Sequence, residues 1–138
     1  MEIHETLEKT ELTPWAEWCN QSLRPEKSGY INALELFAGC GGLSLGMASA
    51  GISITAVDSD ADCCATHEMN FPNARVFLRK LHEDTDWSMF GPSFDLIVGG
   101  PPCQPFSRRG LGKRENDLRD GFPSFLSAVK FFRPKAWL

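Results

Sequence analysis

Two short runs in this chain carry residue types whose spacing suits chemistry. The first is Gly39-Cys40-Gly41-Gly42. The second is Gly99-Gly100-Pro101-Pro102-Cys103-Gln104-Pro105-Phe106-Ser107. Prolines lack an N–H and fix φ, so the second run is a stiff loop rather than part of a central strand. Its thiol, Cys103, is a candidate nucleophile. A free cysteine has a pKa of about 8.5 and is only a few per cent thiolate at neutral pH, but neighbouring cations such as Arg108 and Arg109 lower that value. A lone cysteine is more often a small buried hydrophobe. Two glycines and two prolines make a poor core environment, which favours the reactive reading.

Glycines in the first run let the backbone turn sharply and approach a ligand closely. Asp58 lies 19 positions after Gly39, where an acid commonly holds ribose hydroxyls. Taken alone, the turn also fits simple packing of a helix on a sheet. The dinucleotide fingerprint needs a third glycine where Ser44 stands, which disfavours a nicotinamide enzyme. Cys103 and Arg109 match the Cys-x5-Arg phosphate loop by spacing, but Pro105 removes one of the amides such a loop requires. Cys40, Cys63 and Cys64 fit a structural role, one in a tight turn and two on a helix.

The elements that must position these runs alternate between strand and helix. Strands are expected at Ile31–Phe37, Ile52–Val57, Ala74–Leu78 and Phe94–Val98, with a fifth beginning at Ala136-Trp137-Leu138. Helices are expected after the glycine turn, with Leu43, Met47 and Ala50 on one face and Gly51 as the stop, then over Asp60–Phe71 and Phe122–Phe132. A weaker helical piece passes through Trp87 and Phe90. The alternation implies an α/β, doubly wound, mostly parallel sheet. Ligands bind such sheets at the carboxyl ends of the strands, where the strand order reverses. Strands one and four flank that point, which brings Cys103 near the glycine turn. Residues 1–29 read as an appendage with a short helix begun by Thr13-Pro14, and residues 30–138 as a partial domain. The apolar Trp137-Leu138 at a sheet edge suggests a fold cut off after about five strands.

Charge is unevenly spread. Residues 31–100 carry nine acids against three bases, whereas residues 101–138 carry three acids against eight bases. Arg108, Arg109, Lys113, Arg114 and Arg119 cluster after Cys103, suiting a phosphate-rich partner, though a solvated loop has the same composition. Five cysteines with no Cys-x-x-Cys pair argue against a disulfide framework and against zinc. No metal is expected. Free thiols, no apolar run of membrane length and an acidic start point to an intracellular protein, in cytoplasm or nucleoid, or in the nucleus of a eukaryote.

Both runs match one family. Leu36-Phe37-Ala38-Gly39-Cys40-Gly41-Gly42-Leu43 resembles the first signature of the cytosine carbon-5 DNA methyltransferases, and the Pro-Pro-Cys-Gln loop resembles their catalytic signature. Val57-Asp58 with Asn70-Phe71-Pro72, and Asp117-x-Arg119 with the helix after it, resemble two others. The resemblance covers residues 32–138. It implies the S-adenosylmethionine-dependent methyltransferase fold, with S-adenosylmethionine bound by Phe37, Gly39, Gly41, Gly42, Asp58 and Pro101. It further implies that Cys103 adds to carbon 6 of a flipped cytosine, and that Ser107 and Arg109 contact nucleic-acid phosphate.

Two departures stand out. Lys80 occupies the place where the family carries an acid that accepts from the adenine amino group, and a lysine cannot accept; Glu83 or Asp84 are the nearest substitutes. The family's Glu-Asn-Val segment, whose glutamate protonates the cytosine ring, is expected just after Leu138. The resemblance therefore implies a fragment or subunit that methylates DNA only with a complementing C-terminal chain, in the common setting of bacterial restriction-linked protection. Transfer RNA is an alternative substrate. A non-catalytic cofactor-binding module that pairs with a partner is a third reading.

Overall fold

The computed structural model describes Pro14, Glu17, Trp18, residues 30–102 and residues 121–138. Pro14, Glu17 and Trp18 have helical backbone; the rest of the expected N-terminal helix lies outside the described residues.

The element order is β1 (Asn32–Leu36), α1 (Gly42–Ser49), β2 (Ser53–Asp58), α2 (Ala61–Asn70), β3 (Arg75–Leu78), a 3-10 turn (Trp87–Phe90), β4 (Leu96–Gly99), α3 (Phe122–Phe132) and β5 (Ala136–Trp137). All four strand pairings are parallel, in the order β3-β2-β1-β4-β5. The order reverses between β1 and β4, the point expected from sequence. No described helix is long and apolar enough to cross a membrane.

Alternation along β1 sorts side chains to two covered faces, as in parallel sheets generally. Leu34 and Leu36 join Ile97, Phe90 and Phe125 on the face under α3 and the 3-10 turn. Ala33 joins Ile54, Ala56 and Met47 on the face under α1. Trp87 and Phe90 are buried and seal the first face, the Trp87 indole donating to Ser127 Oγ at 3.0 Å. The weak helical signal there thus marks a buried plug.

Sharp stops place the strand ends. Gly51, at φ 75°, closes α1. Asp60 caps α2 by accepting from the Cys63 amide at 2.8 Å. At the amino end of the sheet, the Asp95 carboxylate accepts from the Asn32 amide and pairs with Lys135 at 2.7 Å, so β1, β4 and β5 start in fixed register.

The α1 face differs from expectation. Its buried residues are Ser44 and Met47, while Leu43 is 44% exposed and Ala50 is exposed. The cause lies beneath the helix. Glu35 projects from β1 on that face and is fully buried, so the position above it takes a hydroxyl rather than leucine.

Candidate functional site

The carboxyl ends of β1, β2 and β4 form one rim. β1 leads into Phe37, whose φ of 58° is unusual for a residue with a side chain. Gly39 and Gly41 follow at φ 54° and 98°. The Gly41 amide donates to Ala38 O at 3.1 Å, and Ala38 N to Val57 O at 3.1 Å, so the turn stays attached to β2. Asp58 fixes it further: Gly39 N–H donates to Asp58 Oδ2 at 2.8 Å and Asp60 N–H to Asp58 Oδ1 at 2.9 Å.

One stripe of α2 faces the turn. Cys63, His67 and Asn70 recur at helical spacing. Cys63 Sγ lies 4.0 Å from Cys40 Sγ, His67 Nε2 lies 2.8 Å from Ser44 Oγ, and Asn70 Nδ2 donates to Cys40 O at 3.3 Å. Phe71 packs directly under Gly41, where any side chain would collide with its ring. The structural roles of Asn70 and Phe71 are therefore to hold the turn.

Beneath it sits a closed polar cluster of Glu35, Ser44 and His67, all essentially without solvent access. Ser44 Oγ donates to Glu35 Oε2, and His67 Nε2 is 3.9 Å from that same oxygen. His67 Nδ1 is buried with no hydrogen-bond partner among the described residues. Burial pushes the Glu35 pKa up and the His67 pKa down, each towards its neutral form. Sequence reading missed this cluster. A glutamate inside an apolar strand, at Glu35, was the available signal.

β4 brings the second run to the same rim. Gly99 lies flat against β1 and Phe125: a Cβ there would stand 2.7 Å from Leu36 O. A Cβ on Gly121 would stand 2.7 Å from both Phe37 and Pro102. Gly121 therefore lies against both Pro102 and the Phe37 ring. Cys103, Ser107 and Arg109 themselves lie outside the described residues. Lys80 is exposed just beyond β3, with Glu83 and Asp84 also exposed.

Cys40 lies in the turn and Cys63 and Cys64 on α2, as expected, but of these three described cysteines Cys40 is exposed and Cys63 half-buried, and Cys64 alone has the burial of a structural thiol. Among the described residues no group of three or more candidate ligands could hold a metal ion. Two cavities, of about 240 and 270 Å³, open near the starts of β2 and β3, and neither includes Gly39, Gly42, Asp58 or Pro101.

The profile of the family described as C-5 cytosine-specific DNA methylase matches residues 31–138. The chain belongs to this family. It is 37% identical over 126 residues to the type II methyltransferase M.AplI of Arthrospira platensis, covering 90% of this chain and 35% of that protein. Among solved structures, a candidate DNA modification methyltransferase encoded within an E. coli prophage superposes with a TM-score of 0.59 at 32% identity, over 75% of this chain and 30% of that one. A mutant of Spodoptera frugiperda DNMT2 does so at 0.51 and 29%, over 72% and 30%. The chain spans about a third of the length of the relatives it matches.

The cofactor of this family and fold is S-adenosylmethionine. The rim fits it. A Cβ on Gly39 or Gly42 would meet nothing within 4 Å, so both backbones face open space, and Gly39 does so beside the Asp58 carboxylate.

Proposed function

We propose that this chain is the cofactor-binding and nucleophile-bearing portion of an enzyme that methylates carbon 5 of cytosine in DNA. The reading is carried by the convergence of the glycine turn, Asp58 and Pro101-Pro102 on one rim, with open space over Gly39 and Gly42. Phe37, Gly39, Gly41, Gly42, Asp58 and Pro101 hold S-adenosylmethionine, which supplies an electrophilic methyl group. Phe37 packs on it, the glycine backbones admit it closely, and the Asp58 carboxylate accepts from ribose hydroxyls.

Cys103 directly follows Pro102. Its thiolate adds to carbon 6 of a cytosine extruded from the duplex. The carbon–sulfur bond forms as the 5,6 π pair shifts to carbon 5, which becomes the nucleophile. After methylation a base removes the carbon-5 proton, the π bond re-forms and the thiolate departs. Ser107 and Arg109 contact phosphate. The proton for the cytosine ring comes from a Glu-Asn-Val segment, which residues 1–138 do not contain. The chain accordingly depends on a complementing segment or partner.

The test is labelled methyl transfer to DNA and to transfer RNA, with and without a partner bearing that segment, beside calorimetric titration with S-adenosylmethionine. The expected result is cofactor binding without transfer by the chain alone, and transfer to DNA on complementation, lost in Cys103→Ser. Transfer by the unaided chain removes the dependence. Transfer to transfer RNA alone changes the substrate class. Absence of cofactor binding defeats the reading as a whole.

A further inference from the structure

We infer that Cys40 and Cys63 form a reversible disulfide that locks the glycine turn onto α2 and thereby shuts off cofactor uptake. The two thiols stand on different elements, one in the turn and one in the first turn of α2, with their sulfurs 4.0 Å apart. Disulfide sulfurs are bonded at about 2.05 Å, so bonding closes about 2 Å between the two sulfurs and ties their elements covalently. The turn is already held to α2 by Asn70 at the carbonyl of Cys40 and by Phe71 under Gly41. A bond at Cys63 adds a third tie at the other end of the same stripe. The segment so pinned is the one whose open backbone, at Gly39, admits the cofactor.

The pair is selective among the described thiols. Cys64 points the opposite way, its Sγ buried towards Asp58 O and Phe77 O at 3.7 and 3.9 Å. It cannot turn outward without leaving the core. Cys40 is exposed and Cys63 half-buried, so a small oxidant reaches them. Hydrogen bonding to the Cys40 thiol pushes the Cys63 pKa up to about 12. Cys40, the more exposed of the two, meets the oxidant first.

With a low-molecular-weight disulfide as oxidant, the Cys40 thiolate attacks one sulfur, the small disulfide bond breaks and a thiolate leaves. Cys63 gives up its proton to solvent and attacks the mixed disulfide at Cys40. The Cys40–Cys63 bond forms and the second small thiolate leaves. Two protein thiols are oxidised by two electrons, and one small disulfide is reduced to two thiols.

The affinity arm of the test rests on the cofactor reading above; the pairing does not. The full chain is incubated with oxidised glutathione, digested without reduction and mapped by mass. The expected product links the Cys40 and Cys63 peptides and has lost two hydrogen atoms. Oxidation is expected to weaken S-adenosylhomocysteine binding at least tenfold, with recovery on adding dithiothreitol. Cys63→Ser and Cys63→Ala should bind like the reduced native chain and ignore the oxidant. A linkage through any other cysteine, or equal affinity in both redox states, overturns the inference. So does an oxidant effect that survives in both variants. If the reduced native chain takes up no S-adenosylhomocysteine, the cofactor reading falls on its own. Amide exchange across Gly39–Gly42 then decides the lock: oxidation must slow it at least tenfold in the native chain and leave both variants unchanged, and any other result rejects it.

Discussion

The Gly39 amide donates to Asp58 Oδ2 across 2.8 Å, joining the turn after β1 to the end of β2. The other carboxylate oxygen takes the Asp60 amide, which opens α2. Asp58 thus shapes the turn in addition to its proposed contact with ribose, and two substitutions separate these roles. Asp58→Ala leaves both amides without their acceptor and should cost about 1–3 kcal/mol. Asp58→Asn keeps one oxygen acceptor, so its cost in urea unfolding should be smaller. If the carboxylate also binds ribose, both variants lose S-adenosylhomocysteine affinity by at least tenfold in calorimetry. Native affinity in Asp58→Asn would leave Asp58 with a structural role alone.

Gly41 and Gly42 are neighbours with opposite expectations. Gly41 sits at φ 98° with Phe71 directly beneath and His67 Cδ2 3.2 Å from any Cβ. Gly41→Ala combines backbone strain with overpacking, each worth about 1–3 kcal/mol. Gly42 begins α1 and faces open space. Gly42→Ala should therefore leave stability unchanged or raise it by up to about 1 kcal/mol, as alanine favours helix. Thermal unfolding reads both. A stable Gly42→Ala that has lost cofactor affinity locates the ligand against this backbone; one that binds normally places the ligand elsewhere.

The contrast shows what the sequence made legible. Strand–helix alternation, and the switch point that sets the glycine turn and Pro101-Pro102 at the same end of the sheet, follow from periodicity and turn chemistry, because those signals are local. The buried face of α1 does not. Leucine at position 43 outranks serine at 44 on any hydropathy pattern, and only the carboxylate of Glu35 beneath reverses the order. The Cys40–Cys63 contact likewise depends on how α2 lies against the turn, 23 residues apart in sequence. Short-range patterns cannot carry either fact.

Gly99 and Gly100 belong to the same signature, yet the fold asks different things of them. A Cβ at Gly99 meets Leu36 O at 2.7 Å and the Phe125 ring at 3.2 Å. Both are buried, and one is backbone of the adjacent strand, so neither gives way. Gly99→Ala should destabilise by about 1–3 kcal/mol. Gly100 has nothing within 4 Å, and Gly100→Ala should lie within about 0.5 kcal/mol of native. Urea midpoints at constant m-value check both. Equal costs would mean that β4 does not sit flush on β1 and α3.

The buried cluster makes stability depend on pH in a way that can be assigned residue by residue. Burial lowers the His67 pKa below its ordinary 6.5, so the folded state holds the neutral ring. The unfolded chain takes up a proton as pH falls through 6.5, and the stability present above that value is lost towards the depressed folded pKa. Asp58 and Glu68 oppose the shift, but burial outweighs them. Burial raises the Glu35 pKa above 4.5, against hydrogen bonds from Ser44 that work the other way. Its contribution is complete below 4.5 and is lost as pH rises through the folded value. Each group contributes at most about 1.4 kcal/mol per pH unit. Unfolding titrations from about pH 4 to about pH 8 should show His67→Gln losing the acid-side fall below 6.5. Glu35→Gln should lose the decline that sets in above 4.5. If His67→Gln runs parallel to native throughout the acid range, His67 takes up its proton in the folded state as readily as in the unfolded one, and burial does not hold the ring neutral.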